Sequence, residues 1–173
     1  LTEAGAADVL SSVVPVGLVD EVAQVEGVAA AAPELGRMTT VGENTTSFII
    51  GWPADAFGMR AMEIVEGRFP LPEDRTETVA GGITLGTRLA ERLDVGVGDL
   101  VEVFATDFVV TGLYTSEGVM AMNGALTLIE DMQAQTYLDG QATSIVVQLS
   151  DDLSPVERDA AIARLSERFP DLS

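Results

Sequence analysis

The 173-residue sequence contains no cysteine, no histidine and no lysine. Without cysteine there is neither a disulfide nor thiolate chemistry, and thiols say nothing about the compartment. Without histidine and cysteine there is no Ser/His triad, no cysteine nucleophile and no ordinary zinc site. Without lysine there is no Ser/Lys dyad, no Schiff base or pyridoxal anchor and no Walker lysine. Carboxylate chemistry remains open to composition, but it needs two acids at a defined separation, one with a raised pKa. No Asp-Thr-Gly or Asp-Ser-Gly motif of the aspartic proteases occurs. The sequence is therefore read as non-enzymatic, with no catalytic, cofactor-binding or metal-ligating residue assigned. No apolar run approaches the roughly 18 residues of a membrane span, since Val13 to Val19 and Val28 to Ala32 are short and interrupted. The chain opens at Leu1 with neither an initiator Met nor the pattern of a signal peptide, and is expected to be a piece trimmed from a longer protein.

Basic charge is scarce. Twenty-eight Asp and Glu face nine basic residues, all arginine, for a net charge of −19. Phosphate binding needs a concentrated basic footprint, so a nucleic-acid partner is excluded, and an anionic membrane surface would repel the chain. The charge reads as a solvated acidic surface of a salt-adapted or high-GC organism, with an acidic patch for a cationic partner as the alternative. Salt adaptation predicts a melting temperature that rises from low to molar salt as self-repulsion is screened; a flat or falling one contradicts it.

Apolar residues make up 47% of the chain, enough for a folded core. The stretch Gly81 to Phe104 reads as helix, turn and strand in succession. Leu85, Leu89 and Leu93 recur every four residues behind Thr84 as N-cap; Gly96 and Gly98 turn the backbone; Leu100 to Phe104 and Phe108 to Tyr114 form a hairpin. Pro15 and Gly27 bracket a helix over Val16 to Glu26, followed by extended segments at Val28 to Ala32, around Arg37 to Val41, and at Thr45 to Ile50. Residues 52 to 77 read as loop, with a helical turn near Ala54 to Phe57, and a short strand falls within 76 to 84. Leu126 to Leu138 reads as a helix. Ser154-Pro-Val-Glu157 is a capping box opening a final helix, with Val156, Ile162, Leu165 and Phe169 on one face.

Several short patterns have simpler readings than the functional ones they suggest. Gly96-Val-Gly-Asp99 lacks the third glycine of a dinucleotide fingerprint and precedes a strand, so it is a turn. Glu130-Asp131 and Asp151-Asp152 lack the spaced ligands of a calcium loop. Asn44-Thr-Thr46 is a glycosylation sequon, a triplet common by chance. Met120-Ala-Met122 can serve an adaptable contact loop or the core, and core packing is preferred.

The order Leu-Gly-x-x-Leu-Ala-x-x-Leu over 85 to 93, Val-Gly-Asp over 97 to 99, a short strand, and Phe-x-Val-x-Gly-x-Tyr over 108 to 114 resembles the periplasmic core domain of MacB/FtsX/LolC-type ABC transporter permeases. Val25-Glu-Gly-Val28 with Ala32-Pro33, Ile50-Gly51 with Glu66-Gly-Arg68, and Thr143 to Leu149 before the last helix fit the same pattern in order. The resemblance spans nearly the whole chain.

It implies an α+β fold of two lobes. Residues 1–51 together with 143–173 would form a porter-like α/β lobe, and 52–142 an inserted mixed, β-rich lobe carrying the helix-turn-hairpin 84–114. It also implies a non-catalytic domain on the extracytoplasmic face of the cell membrane, tethered by flanking transmembrane helices absent from this chain. Such a domain couples ATP-driven movement to substrate export, lipoprotein release or partner activation. Its partners would be those helices, an ABC ATPase subunit or domain on the cytoplasmic side, and a second copy or an extracytoplasmic protein. Its working surface would be the loops near 52–75 and 115–124. The alternative is an independent extracytoplasmic solute-binding or sensor module, which needs convergent polar groups around an apolar pocket.

Overall fold

The capping box near the C-terminus folds as its residues dictate. The Ser154 hydroxyl accepts from the Glu157 backbone N–H at 3.4 Å, and the Glu157 carboxylate accepts from the Ser154 N–H at 2.8 Å, opening a helix over Pro155–Arg168. Its buried line is Ala161, Leu165 and Phe169, at steps of four. Val156 and Ile162, expected on that face, are 77% and 53% exposed, because the core-facing stripe runs a residue to the side of them.

The structure is a computed structural model and describes residues 1–4 and 11–173, with side chains at all of these except 119 and 120. In chain order the elements are β1 (Val14–Pro15), α1 (Val19–Ala23), β2 (Val28–Val41), β3 (Thr45–Trp52), β4 (Glu63–Gly67), β5 (Gly82–Gly86), α2 (Thr87–Leu93), β6 (Leu100–Val103), β7 (Thr106–Thr115), α3 (Val119–Met122), β8 (Ala125–Leu128), α4 (Ile129–Thr136), β9 (Gln141–Ala142), β10 (Ser144–Leu149) and α5 (Pro155–Arg168). The mixture of parallel and antiparallel strands with helices makes the fold α+β. Two compact units result, one of Leu1–Glu34 with Gly140–Ser173, the other of Leu35–Asp139. Residues 35–51, which the sequence reading grouped with the chain ends, lie in the second unit, where β3 pairs in parallel with β8 from Ile49↔Ala125 to Trp52↔Leu128.

In the first unit β10 runs antiparallel to the first half of β2, and β1 pairs with β9. Val14, Val22, Val25, Ile145, Leu165 and Phe169 form the core. Pro33 sits within β2 at no cost in hydrogen bonds. Its partner Ile145 directs its own N–H and C=O to Leu1 instead, so the pair needs no proline donor. The helix expected over 16 to 26 is shorter, a 3₁₀ turn at Val16–Leu18 running into α1.

In the second unit the strands run in the order β2, β3, β8, β5, β7, β4, with β6 paired along β7 and meeting β2 at Val41↔Val103. The β6–β7 hairpin turns through Phe104 and Ala105, with φ of 54° and 60°. Both central residues thus take the positive φ of a type I′ turn without the Asn-Gly such turns favour.

Five expectations change here. Thr84 is not an N-cap but a fully buried residue of β5, and α2 starts three residues later behind Gly86. Leu85 belongs to the strand; its four-residue spacing from Leu89 spans the junction of strand and helix. Asp94, at φ 55°, ends α2 in place of a glycine, and Tyr137 ends α4 in the same conformation. Residues 126 to 128 belong to the fully buried strand β8, so the helix begins only at Ile129, and the loop over 52 to 77 contains β4 and a 3₁₀ turn at Phe57–Ala61.

Alternation along β2 and β3 separates two faces. Leu35, Val41 and Ile49 are fully buried, whereas Met38 and its cross-strand partner Phe48 belong to the other face, where Met38 is 53% exposed. α4 lies on the first face against Gly51, where an added Cβ would stand 3.0 Å from the Ile129 backbone.

Candidate functional site

The two loops that the resemblance marks as a working surface meet in the second unit. β4, from the first, pairs with the end of β7 just before the second, in the register Glu63↔Thr115 and Ile64↔Tyr114. Two arginine–aspartate pairs fasten the rest of the first loop. Arg68 donates to both carboxylate oxygens of Asp74 at 2.9 and 2.5 Å, and the Leu71 N–H donates to the same carboxylate at 2.7 Å. The Arg68 bond, with help from Leu71, holds the Asp74 carboxyl below the usual carboxylate range. Arg75 donates through Nε and Nη2 to Oδ1 of Asp131 on α4.

Asp131 is wholly buried, and its Oδ2 has no hydrogen-bond partner among the described residues. It packs on Gly81, where a side chain would collide with the carboxylate. Burial pushes the Asp131 carboxyl above its ordinary value, against the opposing pull of Arg75. The expected acid pair at 130–131 is thus one exposed glutamate and one buried anchor. Asp151 and Asp152 are exposed in the turn before α5, and no group of three acids among the described residues could hold a metal ion.

On the open face of β2 and β3 lies an apolar pocket of about 370 Å³. It is lined by Met38, Phe48 and Ile50 of the two strands, by Met62 and Tyr114, and by Ala121 of α3 with Gly124 and Ala125. The short helix α3 is tied down beside it by backbone oxygens. Tyr114 donates its hydroxyl to Ala121 O at 2.7 Å, Ser47 donates to Asn123 O at 2.6 Å, and the Gly86 N–H donates to Gly124 O at 2.9 Å. Burial pushes the Tyr114 phenol upward, so it stays a neutral donor. Among the described residues Tyr114 is the one hydrogen-bonding side chain that lines the pocket, and its hydroxyl is directed to Ala121 O. The pocket offers shape and apolar surface, which suits contact with a partner or an apolar ligand rather than chemistry.

Of the methionines noted in the sequence, Met122 is half-buried beside Thr115, and the side chain of Met120 lies outside the described residues. Met38 and Met62, which no local pattern singled out, line the pocket. The available signal was the run Phe48-Ile49-Ile50, because three successive apolar residues in one strand put apolar surface on both faces. Gly96-Val-Gly-Asp99 is a turn, with the Gly96 N–H donating to Asp99 at 2.8 Å, and Asn44 is exposed between β2 and β3.

Residues 4–166 match the model of the MacB-like periplasmic core domain family. Among solved structures, the chain resembles the periplasmic region of MacB from Actinobacillus actinomycetemcomitans, with a TM-score of 0.68 at 13% identity over 91% of this chain and 75% of that one. It also resembles the extracellular domain of the ABC-type transporter YknZ from Gram-positive bacteria, with a TM-score of 0.68 at 13% identity over 97% of this chain and 89% of that one. No curated protein sequence matches the chain. Among the described residues no helix is long and apolar enough to cross a membrane. A family match over nearly the full length, with the fold to go with it, identifies the chain as a member of the MacB-like periplasmic core domain family, the extracytoplasmic domain of an ABC transporter permease.

Proposed function

We propose that this domain is a non-catalytic coupling element. It is held by transmembrane helices flanking it in the permease, and it passes their ATP-driven movement to an event outside the membrane: substrate export, lipoprotein release or activation of a partner. ATP hydrolysis belongs to a separate nucleotide-binding domain or subunit, in keeping with a sequence that lacks lysine and hence a Walker motif. The observation that carries this reading is the meeting of the 52–75 and 115–124 loops around one apolar pocket, beside a short helix whose backbone oxygen accepts from Tyr114. A surface of this kind can change shape as a rigid body moves beneath it.

The test is made in the assembled permease. Cysteines are introduced at Met62 and Ala121, one from each loop, and bridged by a reducible cross-linker; this domain contributes no competing thiol. Bridging is expected to stop transport while ATP hydrolysis continues, and reduction to restore it. Transport that proceeds unchanged with the bridge in place contradicts the proposal.

A further inference from the structure

We infer that the outer edge of β10 seats one more strand, formed by the segment that precedes Leu1 in the permease and running antiparallel to β10. This rests on the reading that a membrane helix holds the domain from that side, and it adds the route by which the helix moves the first unit.

The pairing starts within the described residues. β10 is a terminal strand with β2 on one side. On its other side Ile145 donates its N–H to Leu1 O at 2.8 Å and accepts from the Leu1 nitrogen at 2.6 Å. Two residues that exchange both bonds are a hydrogen-bonded antiparallel pair, so Leu1 fixes the direction and register of the strand it belongs to. The two-residue period turns the N–H and C=O of Val147 to the same edge, opposite the second residue before Leu1, and places the third opposite Gln148. The register shift at Gln148/Leu149 sets the far limit of this pairing. Thr2 exchanges both of its backbone bonds with Ser173, so the chain after Leu1 has left β10, and the chain before it is what can run along Val146 to Gln148.

The side chains agree with this register. Leu1 and Val147 pack against the same core, so the second residue before Leu1, on their face, is expected to be apolar. A groove of about 420 Å³ runs there, lined by Leu1, Val147 and Leu149 and by Ile162 and Leu165 of α5. A strand seated on the edge covers Ile162, which is otherwise 53% exposed. Ser144 to Leu149 carries no charge in a sequence with 28 acids, whereas β4, at the opposite end of the strand order, carries Glu63 and Glu66. Edges that stay in water are commonly guarded by charge, and β10 has no such guard. Movement of the membrane helix then reaches β10 along the added strand, and reaches α5 through the core that Ile145 shares with Leu165.

The experiment is made in the assembled permease, cleared of other cysteines. Gln148→Cys is combined with a cysteine at the third residue before Leu1. Opposed residues at a non-hydrogen-bonded position have Cα atoms about 4.5 Å apart, a span that a disulfide closes. Oxidation is expected to close this pair about tenfold faster, or more, than the same cysteine with Val146→Cys, two residues out of register. Separately, Ile162→Cys is expected to react with maleimide about tenfold more slowly than Val156→Cys, at the 77% exposed position of the same helix, because the strand covers it. The maleimide measurement leaves β10 unaltered, so it decides the matter if the double variant fails to assemble. Equal closure at both registers, closure at neither, or Ile162→Cys as reactive as Val156→Cys would each overturn the inference. So would a disulfide-linked dimer formed through Gln148→Cys alone, which puts a second copy on the edge. Neither measurement reads transport, so the inference can fail while the Met62–Ala121 bridge still stops transport; a permease with no membrane span before Leu1 overturns the tether and the inference together.

Discussion

β2 and β3 carry one apolar face that is sealed and one that is open, though the two faces come from adjacent residues. Leu35, Val41 and Ile49 point to a face on which α4 sits, and nothing of them is accessible. Met38, Phe48 and Ile50 point the other way, and α3, four residues long, covers them only in part. A strand with apolar residues on both faces normally lies between two packed layers. Among the described residues this second layer is incomplete, which leaves apolar surface open on that side of the sheet.

The strongest way to break this contrast is to hollow out the sealed face. Ile49→Ala or Met132→Ala should cost about 2–5 kcal/mol in a denaturant titration, because both side chains are fully buried and the cavity cannot collapse against α4. A cost below about 1 kcal/mol would mean that the sealed face is no better packed than the open one.

A second probe uses the carboxylates under the first loop, whose shifts have opposite signs. Asp131 titrates above the ordinary carboxylate value of about 4, so the folded chain holds its proton more tightly than the unfolded chain. Its favourable contribution is complete below that ordinary value and is lost as pH rises through the folded-state value. Asp74 is shifted down, so its contribution is present above about 4 and is lost as pH falls through its own folded-state value. Asp131→Asn should therefore flatten the decline of stability just above the ordinary carboxylate range and leave the acid limb in place. Asp74→Asn should do the reverse. Melting temperatures across pH 2 to about 7 check both, and a decline unchanged in Asp131→Asn would show that Asp131 does not titrate as a buried anchor.

The β6–β7 hairpin, whose β6 meets β2 at Val41 on the sealed face, holds Phe104 and Ala105 at positive φ. Replacing them with Asn-Gly should stabilise the chain by about 1 kcal/mol, since both residues then suit the turn. Loss of stability in thermal melts would mean that the Phe104 side chain contributes more than its backbone costs. The smallest effect is expected on the open face, where Met38→Gln should change stability by no more than about 0.5 kcal/mol. A large loss there would mean that the face is sealed after all.

How far the sequence discloses this depends on how local each cause is. α5 is legible because Ser154, Pro155 and Glu157 fix its start within four residues. Its buried side is less so, since Ala161 looks neutral in a sequence while Val156 and Ile162 look like core. The strand–helix junctions mislead for a definite reason. Leu85 with Leu89, and Leu126 with Ile129 and Met132, continue a helical spacing backwards into strands that are buried on both faces and so carry no period of their own. β4 is silent in sequence because its partner, β7, lies some fifty residues on and neither face of Glu63-Ile-Val-Glu-Gly67 is regularly apolar. The family resemblance could point to the two loops by position. It could not supply the pocket, which is assembled from residues between 38 and 125 that are neighbours only in the fold.

The most direct test of the central claim, that the open face works while the permease cycles, is the reactivity of single cysteines placed at Met62 and, as a reference, at the 92% exposed Tyr137 in the assembled transporter. The account predicts a maleimide labelling rate at position 62 that changes several-fold between the nucleotide-free and ATP-bound states, with position 137 constant. Equal rates at position 62 in both states would contradict it.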